Sequence, residues 1–461
     1  MRLDEWFAAR DGIRQIYRDE LGRDVVADPD AEVNWLYHFR EDARDLAWIR
    51  SAVRESPEWR AAHGVGQTRP TSGVGIQTTS ADATVRGVYS ASEIASFVPA
   101  RSGPFTFPAP YGTQAVRLTD DRDGLIEPSG YGYWRKINAH EHESSISVVV
   151  GRGEAPALLV RVEKATLAVS SEIVPDLRGT GEQWYFSASD PDVLFVCDGS
   201  RALRRVDVLN GLSSDVFSVQ DDCYVWQCHS SADERRHSAT LRDRSTDRAL
   251  ASIVYDERTK TLRKFDAKAS LDECQIDASG RWLLIKEGDD NRIVDIDAST
   301  PSETFVSNEH GAVGHSDNGF GYAIGEDDFH ARPGAFVMLD FAQRSASPLI
   351  YHTTNWQAMA RHVSHTNAPR PRVLLSSACR VNVPRANELV VAPLDGSLTC
   401  TVVAPNLVDL DASGGDGPAT TRADRDYRKL PKANLDPYGE WACWTANCGT
   451  DRLDAFLVRI P

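Results

Sequence analysis

An internal repeat constrains this chain more than any other feature. Residues 272–300, DECQIDASGRWLLIKEGDDNRIVDIDAST, and 432–460, KANLDPYGEWACWTANCGTDRLDAFLVRI, share one grammar. Each has a polar lead, an Asp-x-x-Gly turn, an apolar strand, a tight turn and an alternating strand. In register, Gln275 falls on Asn434, Asp277 on Asp436 and Gly280 on Gly439. The frame recurs in VWQCHSSADERRHSATLRD, AVGHSDNGFGYAIGEDD and MARHVSHTNAPRPRVLLSS, and more loosely in NAHEHESSISVVV and EQWYFSASDPDVLFVCDG. The residues at the Gln275 position are then His142, Tyr185, His229, Gln275, His315, His362 and Asn434. They follow one another at about 45 residues, a period typical of propeller blades. The exception is the last interval, which holds the insertion DLDASGGDGPATTRADRDY. Seven such units of short strands predict a seven-bladed β-propeller over residues 115–461. The last unit shows only three strands, so its fourth is expected from the N-terminal side, in TQAVRLTDD (113–121).

Ahead of the repeats the pattern changes. DEWFAARDGIRQIYRDELG places Trp6, Phe7, Ile13, Ile16 and Tyr17 on one helical face and stops at Gly22. Two more helical segments follow before residue 61, so residues 1–61 read as a small α-helical accessory domain. Residues 62–114 are rich in Gly, Ser, Thr and Pro and read as a linker or an extended segment lying on its neighbour. The whole is a mainly β chain carrying a small N-terminal α-helical domain.

Composition narrows the partners. A formal charge of −16 disfavours nucleic acid and anionic membrane surfaces. No apolar run approaches the ~20 residues of a membrane helix, so membrane insertion is not expected. The start has no apolar signal region, which points to the cytoplasm or to a signal-independent export route. Eight cysteines without a Cys-x-x-Cys pair read as free, buried thiols. A Gly-x-Ser-x-Gly elbow and a glycine-rich phosphate loop are both missing, against a serine hydrolase and a nucleotide cofactor.

Equivalent positions on the innermost strands of a propeller converge on one channel, so the repeat gathers imidazoles, an amide and a phenol there. The plainer reading is a wet channel whose polar groups bond to water and to neighbouring blades. The chemical reading is a ligand set for a divalent metal, Mn, Zn or Ca, at His315, His362, His365 and Gln275. Residues three apart on a strand face opposite ways, so His362 and His365 can share an ion only where the strand bends. Loops joining second to third strands bring Arg244, Arg248, His330, Arg332, Arg380, Arg385 and Arg452 to the mouth, and guanidinium groups bind carboxylates bidentately.

Two resemblances follow from these residues. IYRDELGRD and IRSAVRESPEWR, with Tyr17–Arg23 and Ser56–Arg60 as motifs, are similar to a small helical domain of secreted and surface bacterial proteins. That implies a surface or assembly partner through residues 1–61. A propeller with Gly-His opening one unit (His315) and a close His pair in the next (His362, His365) resembles the oligogalacturonate lyase family. The resemblance implies a divalent metal held by histidines and a glutamine, an acidic oligo- or polysaccharide substrate, and β-elimination from a uronate. In that scheme the metal or Arg380 neutralises the carboxylate, His229 or an arginine takes the C5 proton, and Tyr185 supplies the acid. His142, His330, Arg332, Arg385 and Asn434 would contact substrate. Two other classes stay open: a non-catalytic propeller that binds a glycan or protein, and a metal-dependent glycan hydrolase.

Overall fold

The Asp-x-x-Gly signature builds the turn between the first two strands of a blade. In the computed structural model, Asp277 Oδ1 accepts the Trp282 N–H at 2.8 Å, and Gly280 takes the left-handed φ of 73° that favours glycine. Asp436, Trp441 and Gly439 repeat the arrangement, at 2.7 Å and 66°. The structure describes residues 3–21, 46, 49, 50, 53, 75–79, 88–138, 143–288, 290–298, 302–306, 316–326, 335–352, 362–365, 372–382, 384, 385, 387–394 and 397–461.

Seven antiparallel sheets result, each starting from its innermost strand. Blade 1 comprises Ile137–Asn138, Ser145–Arg152, Ala155–Glu163 and Val169–Val174. Blade 2 comprises Trp184–Phe186, Val193–Val196, Ala202–Asp207 and Ser213–Ser218. Blade 3 runs from Cys223–Ser230 through Arg236–Asp243 and Ala249–Asp256 to Thr261–Asp266. Blade 4 starts at Leu271–Ile276, blade 5 at Ser316–Asn318, blade 6 at His362–Ser364 and blade 7 at Asn434–Leu435. Second strands are enclosed on both faces where neighbouring blades cover both. Trp282–Glu287 and Trp441–Ala446 are buried at every position.

Closure comes from the N-terminal side, as expected. Gln114–Arg117 pairs with Asp454–Arg459 to give blade 7 its fourth strand, and Gly103–Thr106 adds a fifth. Ile76–Thr79 pairs with Thr399–Pro405 on the outer edge of blade 6. Arg117 and Arg452 both reach the buried Asp454, at 2.5 and 2.7 Å, fixing the seam electrostatically.

Met1–Thr71 and Ser72–Pro461 are separate compact units. The first contains the helix Leu3–Leu21, whose Ile13, Ile16 and Tyr17 pack with Ile49 and Val53. Among the described residues no helix is long and apolar enough to cross a membrane.

Candidate functional site

The inner-strand frame is set by one repeated hydrogen bond. The N–H of Ser187, Ser231, Asp277 and Asp436 donates across the first turn to Val193, Arg236, Trp282 and Trp441, each at 2.9 Å. Tyr185, His229, Gln275 and Asn434 each lie two residues before that donor, so these four are equivalent. Blade 5 corrects the reading from sequence. Gly319 is the donor there, to Tyr322 at 2.8 Å, so Asp317 rather than His315 takes the position. In blade 1 the described innermost strand is Ile137–Asn138. His142, His315, His330 and Arg332 fall outside the described residues.

The channel between these strands is occupied by the chain itself. The hexapeptide Tyr131–Lys136, just before blade 1, touches five other blades. Trp134 Nε1–H donates to the Cys228 carbonyl at 2.9 Å, and the Tyr133 hydroxyl donates to Glu273 at 2.7 Å. The Arg135 carbonyl accepts the Phe186 N–H at 2.8 Å. Lys136 Nζ donates to the carbonyls of Gly181 and Trp184. Asn434 is consumed in holding this segment: its Oδ1 accepts the Lys136 N–H at 2.9 Å, and its Nδ2 donates to the Gly132 carbonyl at 2.6 Å and to that of Trp134. Gly132 passes so close to blades 6 and 7 that a Cβ there would lie 2.7 Å from the Val363 carbonyl and 3.0 Å from that of Ala433. A Gly132→Ala variant is therefore expected to lose about 1–3 kcal/mol, read as a lower midpoint in urea denaturation.

The described members of the expected metal set do not meet. His362 packs on Tyr131 with ring centres 6.0 Å apart, whereas His229 packs on Tyr133 at 5.2 Å. Tyr131 and Tyr133 stack at 5.0 Å, so the imidazoles share a tyrosine pair rather than a cavity. His365 faces away, as strand alternation requires. Its Nδ1 bonds to the Arg372 carbonyl at 2.8 Å, its Nε2 to the Tyr322 hydroxyl at 3.0 Å, and its N–H to Asp317 at 2.7 Å. Nδ1 thus stays within blade 6, while Nε2 and the backbone N–H tie it to blade 5. Among the described residues no three His, Cys, Asp or Glu side chains are grouped to hold an ion.

Two of the expected arginines, Arg380 and Arg385, are also committed. Arg380 donates to Asp411 at 2.6 Å, to both oxygens of Asp426 at 2.6 and 2.9 Å, and to the Leu410 carbonyl. Asp426 belongs to the helix Arg422–Lys429 that the insertion forms. Arg385 is buried against Glu388 at 3.2 Å.

Three sequence-predicted residues do converge. Tyr185, His229 and Gln275 line one cavity of about 40 Å³ at the end of the channel where the innermost strands finish, with Ser230, Asp317 and Asn318 beside them. Arg135, from the channel-filling segment, completes it. The volume has room for a few waters or one carboxylate-sized group. Burial presses the His229 imidazole down to about 4, so it is neutral near pH 7, and its buried Nε2 has no hydrogen-bond partner among the described residues. Burial holds the Tyr185 phenol well above its usual value, hence protonated. Among the described residues Arg135 reaches only the Phe186 carbonyl, at a long 3.4 Å, and its Nε has no partner. No described carboxylate lies within ion-pair distance of it, although Glu234 and Asp317 act on it from farther off.

No protein-family model matches this chain, and no curated protein matches it. Solved structures are similar in fold. An oligogalacturonate lyase in complex with manganese superposes with a TM-score of 0.56 at 13% identity, over 79% of this chain and 97% of that one. An oligogalacturonate lyase from Vibrio parahaemolyticus superposes with a TM-score of 0.57 at 10% identity, over 83% and 99%. The fold is that of those seven-bladed propellers.

Arg135, Ser230 and the Tyr131–Trp134 aromatics are the site residues that sequence reasoning missed. The available signal was YGYWRKIN, an aromatic and basic run between the ring-closing strand and blade 1, outside the repeat.

Proposed function

We propose that the protein is a carbon–oxygen lyase that cleaves a uronic-acid-containing glycan by β-elimination at the cavity of Tyr185, His229 and Arg135. The observation that carries this reading is the meeting on one cavity of a neutral imidazole, a protonated phenol and a guanidinium with no carboxylate partner among the described residues. Its support is the fold shared with oligogalacturonate lyases. Arg135 would hold the substrate carboxylate bidentately and withdraw charge from C5, where negative charge develops in the transition state. His229 Nε2 would take the C5 proton. The electron pair left behind forms the C4–C5 double bond and expels the C4 oxygen, which Tyr185 protonates. Products are an unsaturated uronate and a chain bearing a free hydroxyl.

A divalent ion, where such lyases use one, neutralises the same carboxylate. The described residues do not fit an ion at this cavity: of the expected ligands that are described, Gln275 alone faces it, and His362 and His365 are engaged elsewhere.

Incubation with pectate, alginate and glucuronan is expected to give ultraviolet-absorbing unsaturated product from at least one polymer. His229→Ala and Tyr185→Phe should each lower the rate about 10²–10⁴-fold, the usual worth of a positioned acid or base. New reducing ends without absorbance would mean hydrolysis, and retained glycan binding without any product would mean a binding module. Activity lost to a chelator and restored by manganese would move the neutralising role from Arg135 to an ion.

A further inference from the structure

We infer that a groove between blades 3 and 4 is a second sugar-binding subsite. There Arg258 and Arg263 hold a uronate carboxylate farther along the glycan whose scissile sugar sits at the cavity. The inference rests on the reading of the cavity as a uronate-cleaving site, and extends it to the length of the substrate. The cavity of about 40 Å³ admits little more than one carboxylate, so most of a glycan must lie outside it. The groove is larger, about 320 Å³, which falls within the roughly 300–1,000 Å³ of small-ligand pockets. Arg236, Arg258 and Arg263 line it with Asp256, Thr261 and Asp297.

Strand direction puts groove and cavity on one face of the ring. The innermost strand of blade 3 finishes at Ser230, which lines the cavity, and the second strand begins at Arg236. Antiparallel pairing sets Arg236 opposite Asp256 and Asp256 opposite Thr261, so all three lie at the end where Ser230 lies. Blade 4 brings Asp297 to the same end, two residues after its third strand, Asp290–Asp295, whose Asp295 pairs with Trp282 at the start of the second. Ser230 and Thr261 belong to the first and fourth strands of one sheet, three interstrand steps or about 14 Å apart. A chain of several sugars spans that distance, and a single sugar does not.

The charges of the groove are unevenly paired. Arg236 is spent on the walls: its Nε donates to Asp256 at 3.1 Å, its Nη2 to Asp297 at 2.6 Å and its Nη1 to the Gly280 carbonyl at 2.7 Å. Arg235 lies 3.6 Å from Asp256 as well, so two guanidinium groups match the two wall carboxylates. Arg258 and Arg263 are left over. Among the described residues the Arg258 guanidinium has no polar partner, and that of Arg263 makes one bond, from Nη1 to the Ile296 carbonyl at 2.5 Å. The turn that carries Arg258 is nonetheless fixed. Asp256 Oδ1 accepts the N–H of Arg258 at 3.0 Å and that of Thr259 at 3.1 Å, and the Thr259 and Thr261 hydroxyls lie 2.7 Å apart. Two guanidinium groups with donors to spare suit a carboxylate. The Thr261 hydroxyl and the half-exposed Asp297 suit sugar hydroxyls, a mixture that fits a sugar acid better than a bare polyanion.

The test uses the full chain with oligomers of defined length, made from whichever uronate polymer gives product. Wild-type kcat/KM should rise once the chain is long enough to reach the groove. Arg258→Ala combined with Arg263→Ala should cut kcat/KM on long oligomers about fivefold relative to the shortest one cleaved, the usual worth of two exposed charge contacts. Arg258→Glu should cut it further, and about 1 M salt should erase the difference, because exposed charges are screened there. The same dependence on chain length in wild type and double variant overturns the subsite and spares the lyase reading. If no oligomer yields product, the lyase reading falls, and titration calorimetry with a long oligogalacturonate decides the groove alone. The double variant should then bind about fivefold more weakly than wild type, with no difference for a neutral maltodextrin. Equal affinity for the oligogalacturonate, no binding by the wild type, or the same loss on maltodextrin overturns the subsite.

Discussion

An Arg135→Met variant is expected to lose about a hundredfold or more in kcat/KM on its uronate substrate, yet to unfold at the same temperature as the wild type or a higher one. The two halves have one cause. The guanidinium faces a cavity with one long hydrogen bond and no carboxylate in ion-pair range among the described residues, so burial outweighs the charges acting on it from farther off. Removing it relieves that cost, and methionine keeps the volume. The same charge is the group placed to hold a substrate carboxylate, where one donor in an enclosed site is worth about 3–4 kcal/mol of barrier. Thermal unfolding together with steady-state kinetics checks both signs. A variant that loses activity only because it unfolds would sink the assignment.

The second large effect concerns the wall of the same channel. Lys286 Nζ and Glu273 Oε1 are 2.6 Å apart, both side chains are almost fully enclosed, and Glu273 also accepts the Tyr133 hydroxyl. Burial acts to raise the Glu273 carboxyl, but Lys286, His229 and the Tyr133 hydroxyl together hold it below its usual value. Lys286→Met leaves that carboxylate buried and unpaired, and is expected to cost about 3–5 kcal/mol in chemical denaturation. Glu273→Gln added to it removes the stranded charge and still accepts from Tyr133. The double variant should therefore recover to within about 1–2 kcal/mol of wild type. If the two substitutions simply add, the pair is not coupled as the geometry requires. Lys286→Met should also raise the His229 pKa, since the ammonium is one of the influences depressing it.

The ring was legible because its signal is periodic. One turn motif repeated at blade spacing located the seven units, and a missing fourth strand pointed to the N-terminal side, where Gln114–Arg117 supplies it. The convergence of Tyr185, His229 and Gln275 followed from the same frame. What fills the channel was not legible, since Tyr131–Lys136 belongs to no repeat and has no helical or strand period. His315 misled because a two-residue slip in a three-residue strand leaves the surrounding pattern unchanged while moving the inward-facing place to Asp317. Arg380 and Arg385 looked available because their counter-charges, Asp411, Asp426 and Glu388, become partners only through the fold. The alternation rule did anticipate that His362 and His365 would face different neighbours.

The seam of blade 7 also governs when this protein can become itself. Its second and third strands, Trp441–Ala446 and Asp454–Arg459, are nearly the last part of the propeller to be synthesised, and Asp454–Arg459 must find Gln114–Arg117, made long before. Until residue 459 clears the ribosome, six blades wait with bare apolar faces at both ends of an open arc, and Gln114–Arg117 lacks its partner strand, so that both can associate with other nascent chains. Expression yield should thus depend on translation speed and holdase chaperones more than on the stability of the finished ring.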